Sequence, residues 1–172
     1  MAIIFCHGLE SGPNGHKYQA LCAAGFVPFA PDFRGMDLAS RVRKLLERVA
    51  SSDEANILIG SSYGGAAAVC AAMMHAAQSG RHIHSLVLCA PALHTPEFPA
   101  ELRPIRLPVP TSIIHGCRDV VVPLSVSREL AAQNRDVAAL VEVDDDHRLH
   151  GSIELLLHTV TSHLRNATGA TH

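Results

Sequence analysis

Ser62 stands at the centre of Gly60-Ser61-Ser62-Tyr63-Gly64, a G-x-S-x-G pattern between the apolar run Ile57-Leu58-Ile59 and a helical stretch of small residues beginning at Gly65. Glycines on either side of a serine at a strand-to-helix junction let the two elements approach closely, which is the form of a nucleophile held on a sharp turn. A serine hydroxyl is a weak nucleophile, so the pattern needs a base, an acid to orient that base, and donors for the oxyanion. His147, after Asp144-Asp145-Asp146 and before the last helical pattern, is the candidate base. An imidazole, with an ordinary pKa near ~6.5, can be neutral at rest and charged in the transition state. Asp119, four residues beyond the apolar run that ends at His115, is the candidate acid, with a turn-capping aspartate as the alternative. The loop His7-Gly8-Leu9-Glu10-Ser11-Gly12-Pro13-Asn14-Gly15 can present the Leu9 N–H as one oxyanion donor. Tyr63 N–H, at the start of the helix after Ser62, is the other, and the helix dipole favours negative charge there. A simple strand-to-helix turn is the alternative use of the loop's glycines.

His7 and His115 each end an apolar run before glycine and read as loop-orienting residues rather than as the base. The twelve histidines form neither an H-E-x-x-H pattern nor a Cys/His zinc module, so no metal and no cofactor is expected. Ser61 sits off-centre between the elbow glycines, and Ser11 has no comparable turn.

The elements that must position these groups follow from six short apolar runs, near 2–6, 27–30, 56–60, 85–90, 111–115 and 138–143, alternating with helical patterns. That alternation predicts an α/β domain, a three-layer sandwich around a mostly parallel sheet. Pro28 cannot donate a ladder hydrogen bond, so the second run is expected at a sheet edge. The predicted order of the runs is then 2-1-3-4-5-6 with right-handed crossovers, and Ser62 follows the third run at the switch point where ligands bind. Leu38, Val42, Leu45, Leu46 and Val49 mark the buried stripe of one helix, with Arg41, Arg43, Lys44, Glu47 and Arg48 assigned to its other positions. Ile153, Leu156, Leu157, Val160 and Leu164 do the same for the last helix. Residues 1–165 are expected to form one domain, with a proline-broken connection over 91–110 and a frayed tail over 166–172.

At 172 residues the chain can bury a sizeable core, and a 48% hydrophobic fraction supports one. A net charge of −2 without a basic patch gives no reason to expect nucleic acid or an anionic membrane as partner. Five cysteines without metal-type spacing, no signal-like leader and no apolar run of membrane-spanning length point to a cytoplasmic location. The expected partner is a small-molecule ester.

In their order along the chain, Ser62, Asp119 and His147 resemble the α/β-hydrolase superfamily, as do Asp32-Phe33-Arg34-Gly35 and the H-G-x-x-D-x-x-V-P run around Asp119. The opening HGLESGPNGHK and the GSSYGG elbow are similar to the small bacterial hydrolases of the YqiA/YcfP-like group. The resemblance implies a minimal, lidless α/β-hydrolase fold that starts at the family's third strand, and an esterase acting on short acyl esters. It leaves the 91–110 connection to wall the acyl side of a shallow, open pocket, with Glu10, Leu93 and Phe98 as candidate substrate contacts. A thioesterase or other acyl hydrolase uses the same triad, and a non-catalytic scaffold of this fold is the alternative of a different class.

Overall fold

The computed structural model describes residues 1–52, 54–78 and 82–169. Among them, β1 (Ala2–Cys6), β2 (Asn56–Ser61), β3 (Ile83–Cys89), β4 (Thr111–Gly116) and β5 (Ala138–Val143) form one wholly parallel sheet in the spatial order β1-β2-β3-β4-β5. The helices are α1 (His16–Ala23), α2 (Leu38–Ala50), α3 (Tyr63–Ala77), α4 (Leu124–Gln133) and α5 (Ile153–Ala167).

This corrects the expected six-stranded 2-1-3-4-5-6 sheet to five strands. The run at 27–30 lies beside β1, at the predicted edge, but only Phe29 pairs, through Phe29 N–H to Ile3 O and Phe5 N–H to Phe29 O, both 2.8 Å. With Phe29 facing β1, the next N–H owed to the ladder is that of residue 31, and Pro31 has none to offer.

Side chains alternate across the strands into two cores. Ile4, Cys6, Leu58, Leu86, Leu88 and Ile113 pack with Leu38, Val42, Leu45 and Val49 of α2 and Ala66 to Ala72 of α3. Ile3, Phe5, Ile57, Ile59, Val87, Cys89 and Ile114 pack on the opposite face with Leu21 of α1 and Leu156 and Val160 of α5. Burial on both faces is why the strands read as continuous apolar runs. Asp37 caps α2, its Oδ1 accepting from Ser40 N–H at 2.8 Å. One position of α2 departs from expectation: Arg41, assigned to the polar positions, is 0% exposed.

The 91–110 connection also differs from the expected outer wall. Leu93, Phe98, Ile105 and Leu107 point into the core beneath α3. Arg103 holds them, donating from Nη2 to Leu93 O at 2.6 Å with its guanidinium 4.9 Å from the Phe98 ring centre. Asn134 joins the far end, accepting from Leu107 N–H at 2.8 Å and donating to Ile105 O at 3.0 Å. At the C-terminus α5 continues through Ala167, two residues beyond the expected boundary, and residues 170–172 of the predicted tail lie outside the described residues.

Leu58 is wholly enclosed between the strands and α3, whereas Val27 is 91% exposed. Leu58→Ala is expected to cost about 2–5 kcal/mol of unfolding free energy by urea titration, and Val27→Ala no more than about 0.5 kcal/mol.

Candidate active site

Ser62 leaves β2 with φ 54° and ψ −119°, a conformation that L-residues adopt only when their surroundings impose it. Ser62 N–H donates to Cys89 O at 2.9 Å, and Ser62 O accepts from Gly65 N–H at 2.8 Å and Ala92 N–H at 3.0 Å. The end of β3 and the turn after it therefore clamp both sides of the serine's backbone. A Cβ on Gly64 would collide with the Cys6 carbonyl, so the elbow glycine is required by the approach of α3 to β1.

Asp119 and His147 come together from the loops after β4 and β5. His147 Nδ1 lies 2.7 Å from Asp119 Oδ2, and Asp119 Oδ1 accepts from Val121 and Val122 N–H at 2.8 Å each. The carboxylate is buried while the His147 side chain is 21% exposed. Burial works to raise the Asp119 pKa, but the Val122 N–H, the His147 ring and the Val121 N–H outweigh it and hold the carboxyl below its ordinary value. A carboxylate can only accept, so Nδ1 carries the proton in the neutral ring and Nε2 is left as the acceptor.

Several contacts lock the two loops in this relation. A side chain on Gly116 would strike the Asp145 carbonyl, so glycine there lets the loops touch. Cys117 N–H donates to Val143 O at 2.8 Å and Arg118 N–H to Asp145 O at 3.0 Å. Asp145 accepts from Ser152 Oγ at 2.8 Å, and Lys17, buried on α1, donates to Arg148 O at 2.7 Å. His115 packs behind the carboxylate with Nε2 3.2 Å from Asp119 Oδ2 and 3.0 Å from Val122 O, while Nδ1 lies 2.7 Å from Ser127 Oγ.

The loop after β1 reaches the same edge. A Cβ built on Gly8 would lie 3.5 Å from Ser62 Cβ, which places this loop beside the serine. His7 Nε2 accepts from Phe33 N–H at 2.9 Å, so its Nδ1–H donates to Gly8 O at 2.8 Å. Both His7 and His115 thus orient their own loops, as expected. Among the described residues neither Leu9 N–H nor Tyr63 N–H meets an acceptor, which leaves both donors available at the elbow. Glu10 is exposed beside them, whereas Leu93 and Phe98 are 2% and 5% exposed and belong to the core rather than to an open wall. An oriented imidazole, a strained serine and two unengaged amides are the groups that nucleophilic acyl transfer requires.

Arg41 and Lys17 are the positioning candidates that sequence reasoning missed. Arg41 had a signal: Leu38, Arg41, Val42 and Leu45 follow the spacing of one helical face, which puts the arginine on the buried stripe. Among the described residues no group of three or more His, Cys, Asp or Glu could hold a metal ion, and no helix is long and apolar enough to cross a membrane.

Residues 3–151 match the Alpha/beta hydrolase family. Among solved structures, mouse alpha/beta hydrolase domain-containing protein 10 superposes with a TM-score of 0.79 at 19% identity, over 96% of this chain and 90% of that one. A protein of the alpha/beta hydrolase superfamily from Xanthomonas campestris pv. campestris gives 0.73 at 26% identity, over 96% and 99% of the two chains. Est1E from Butyrivibrio proteoclasticus gives 0.76 at 19% identity, over 98% and 88%. No curated protein matches the chain in sequence.

Burial lowers the pKa of His7, His115 and His163, so each binds a proton more readily in the unfolded chain than in the fold. Stability is therefore expected to fall as pH drops through the unfolded histidine pKa near ~6.5. Asp119, depressed in the fold, adds a second loss below its unfolded pKa near ~3.9. Urea midpoints measured from pH 7.5 to 5.5 should decline; a constant midpoint over that range contradicts the assignment of neutral buried rings.

Proposed function

Because the chain belongs to the alpha/beta hydrolase family, we propose that it is a serine hydrolase that cleaves carboxylic esters through an acyl-enzyme. The observation that carries this reading is the 2.7 Å contact between His147 Nδ1 and the buried Asp119 carboxylate, which leaves Nε2 as the ring's acceptor. In the proposed cycle Ser62 Oγ attacks the ester carbonyl as His147 takes its proton. The tetrahedral oxyanion is held by Leu9 and Tyr63 N–H, and the dipole of α3 favours the same charge. His147 then protonates the leaving alcohol, and water repeats the sequence to release the acid. Asp119 stays ionised throughout and stabilises the imidazolium.

The inward packing of Leu93 and Phe98 supports short acyl groups, since the 91–110 connection spends its apolar side chains on the core instead of on a deep acyl channel. The five cysteines are free thiols, which accords with a reducing cytoplasm.

Ser62→Ala is expected to lower turnover of p-nitrophenyl acetate by at least ~10³-fold and to abolish fluorophosphonate labelling, with the circular dichroism spectrum unchanged. Undiminished labelling of that variant would sink the nucleophile assignment. His147→Ala is expected to lower kcat/KM for the same ester by a comparable factor, and undiminished turnover argues against His147 as the base. A series of acetyl, butyryl and octanoyl esters run beside the matching acyl-CoA thioesters should show acetyl and butyryl esters preferred; faster cleavage of the thioesters replaces the ester reading with a thioesterase.

A further inference from the structure

Arg41 is a buried cation that makes no ion pair among the described residues, the Glu97 carboxylate acting on it only from beyond contact distance. Its side chain is 0% exposed, and among the described residues no carboxylate lies within ion-pair distance of it. The adjacent Cys6 thiol cannot serve, because burial pushes its pKa up to about 12 and keeps it neutral. Leaving a guanidinium in the core with only neutral partners is costly, so its contacts have to be strong and specific.

Those contacts go to the backbone that leads into the candidate oxyanion hole and to the turn before α2. Nε donates to Met36 O at 3.1 Å, and Nη1 donates to His7 O at 2.9 Å with Gly8 O at 3.5 Å. The guanidinium is flanked by two rings, its carbon 4.8 Å from the Tyr63 centroid and 5.4 Å from that of Phe33. Nη2 is buried with no partner, so the cation is not neutralised from that side.

The geometry of one peptide unit links this to catalysis. Gly8 O and Leu9 N–H are opposite ends of a single planar trans amide, so donors fixed on the oxygen fix the direction of the N–H. His7 Nδ1–H supplies the short donor at 2.8 Å, and Arg41 Nη1, whose short bond at 2.9 Å holds the adjoining His7 carbonyl, reaches Gly8 O at 3.5 Å. A charged donor on the carbonyl also polarises the amide and strengthens what its N–H can give. The same guanidinium braces Tyr63, whose N–H is the second candidate donor.

We infer that Arg41 is a positioning residue of the oxyanion hole, holding the Gly8–Leu9 peptide and the Tyr63 ring so that both N–H groups meet the tetrahedral oxygen. The inference rests on the ester-hydrolase reading. Interactions realised only in the transition state appear in kcat rather than in KM. Arginine's planar fork, rather than its charge alone, sets the geometry, so lysine is a poor replacement.

The test uses the full chain with p-nitrophenyl butyrate. Removing an oxyanion donor outright costs about 10²–10³ in kcat, and displacing one should cost less. Arg41→Lys is expected to lower kcat about 10-fold and Arg41→Met about 30-fold, each with KM within about 3-fold of wild type. Inhibition by phenylboronic acid, which forms a tetrahedral adduct with the serine, should weaken in step with kcat/KM while inhibition by benzoate stays unchanged. Arg41→Lys preserves charge and length, so it carries the test if Arg41→Met does not fold. Wild-type kcat in the folded lysine variant, a loss confined to KM, or equal weakening of boronate and benzoate overturns the inference. A wild-type chain without ester turnover overturns it together with the proposed function, whereas active wild type and an inactive Ser62→Ala beside unaffected Arg41 variants remove the inference alone.

Discussion

A serine held at φ 54° and ψ −119° sets the demands that the surrounding structure meets. That conformation costs free energy, and it persists because the turn is fastened from outside itself. The fastening comes from Cys89 O at the end of β3, from the Ala92 N–H in the turn after it, and from the closeness of α3 to β1 that Gly64 permits. Each of these contacts requires the strands to be in their observed register, so the elbow depends on the sheet rather than on its own five residues. The small side chains of α3 belong to the same requirement, since Ala66 to Ala72 are buried in the core between that helix and the sheet.

Parallel strands deliver their following loops to one edge. The loops after β1, β2, β4 and β5 carry Leu9, Ser62, Asp119 and His147 respectively, residues that are far apart in sequence. The sheet brings them to the same side without any direct contact between their segments being needed. What it cannot do alone is aim the side chains. That finer adjustment falls to fixed polar contacts: Asp119 between two backbone amides and an imidazole, the β4 and β5 loops joined across Gly116, and Lys17 tied to Arg148 O.

Three buried side chains share this task at the ends of the strands. His7 and His115 are each held neutral by burial and use both ring nitrogens on fixed neighbours, which turns an imidazole into a rigid spacer between loop and core. Arg41 does the comparable job from beneath, with a charge in place of a neutral ring. The two histidines, with both ring nitrogens used in a low-dielectric interior, resist displacement, because every alternative leaves a polar group unsatisfied.

The sequence by itself determined the α/β alternation, the elbow around Ser62 and the placement of Asp119 and His147 just beyond strand ends. Apolar runs and the glycines that punctuate them are local signals, and the loops of a parallel sheet inherit their positions from those runs. The pairing of Asp119 with His147 was legible for this reason. Other features depended on what lies opposite. Pro28 showed that its run sits at an edge, but only the tertiary structure decided that pairing shrinks to Phe29, because Pro31 closes the other side. Leu93 and Phe98 were apolar residues near the site in sequence, and Arg103 and Asn134 turned their connection inward. Arg41 lay on the apolar stripe of α2 by spacing, yet its charge argued for solvent until the His7 and Gly8 carbonyls and two aromatic rings were seen to receive it. Periodicity fixes which direction a side chain points, while the partner waiting there is chosen by contacts between distant segments, and those exist only once the chain has folded.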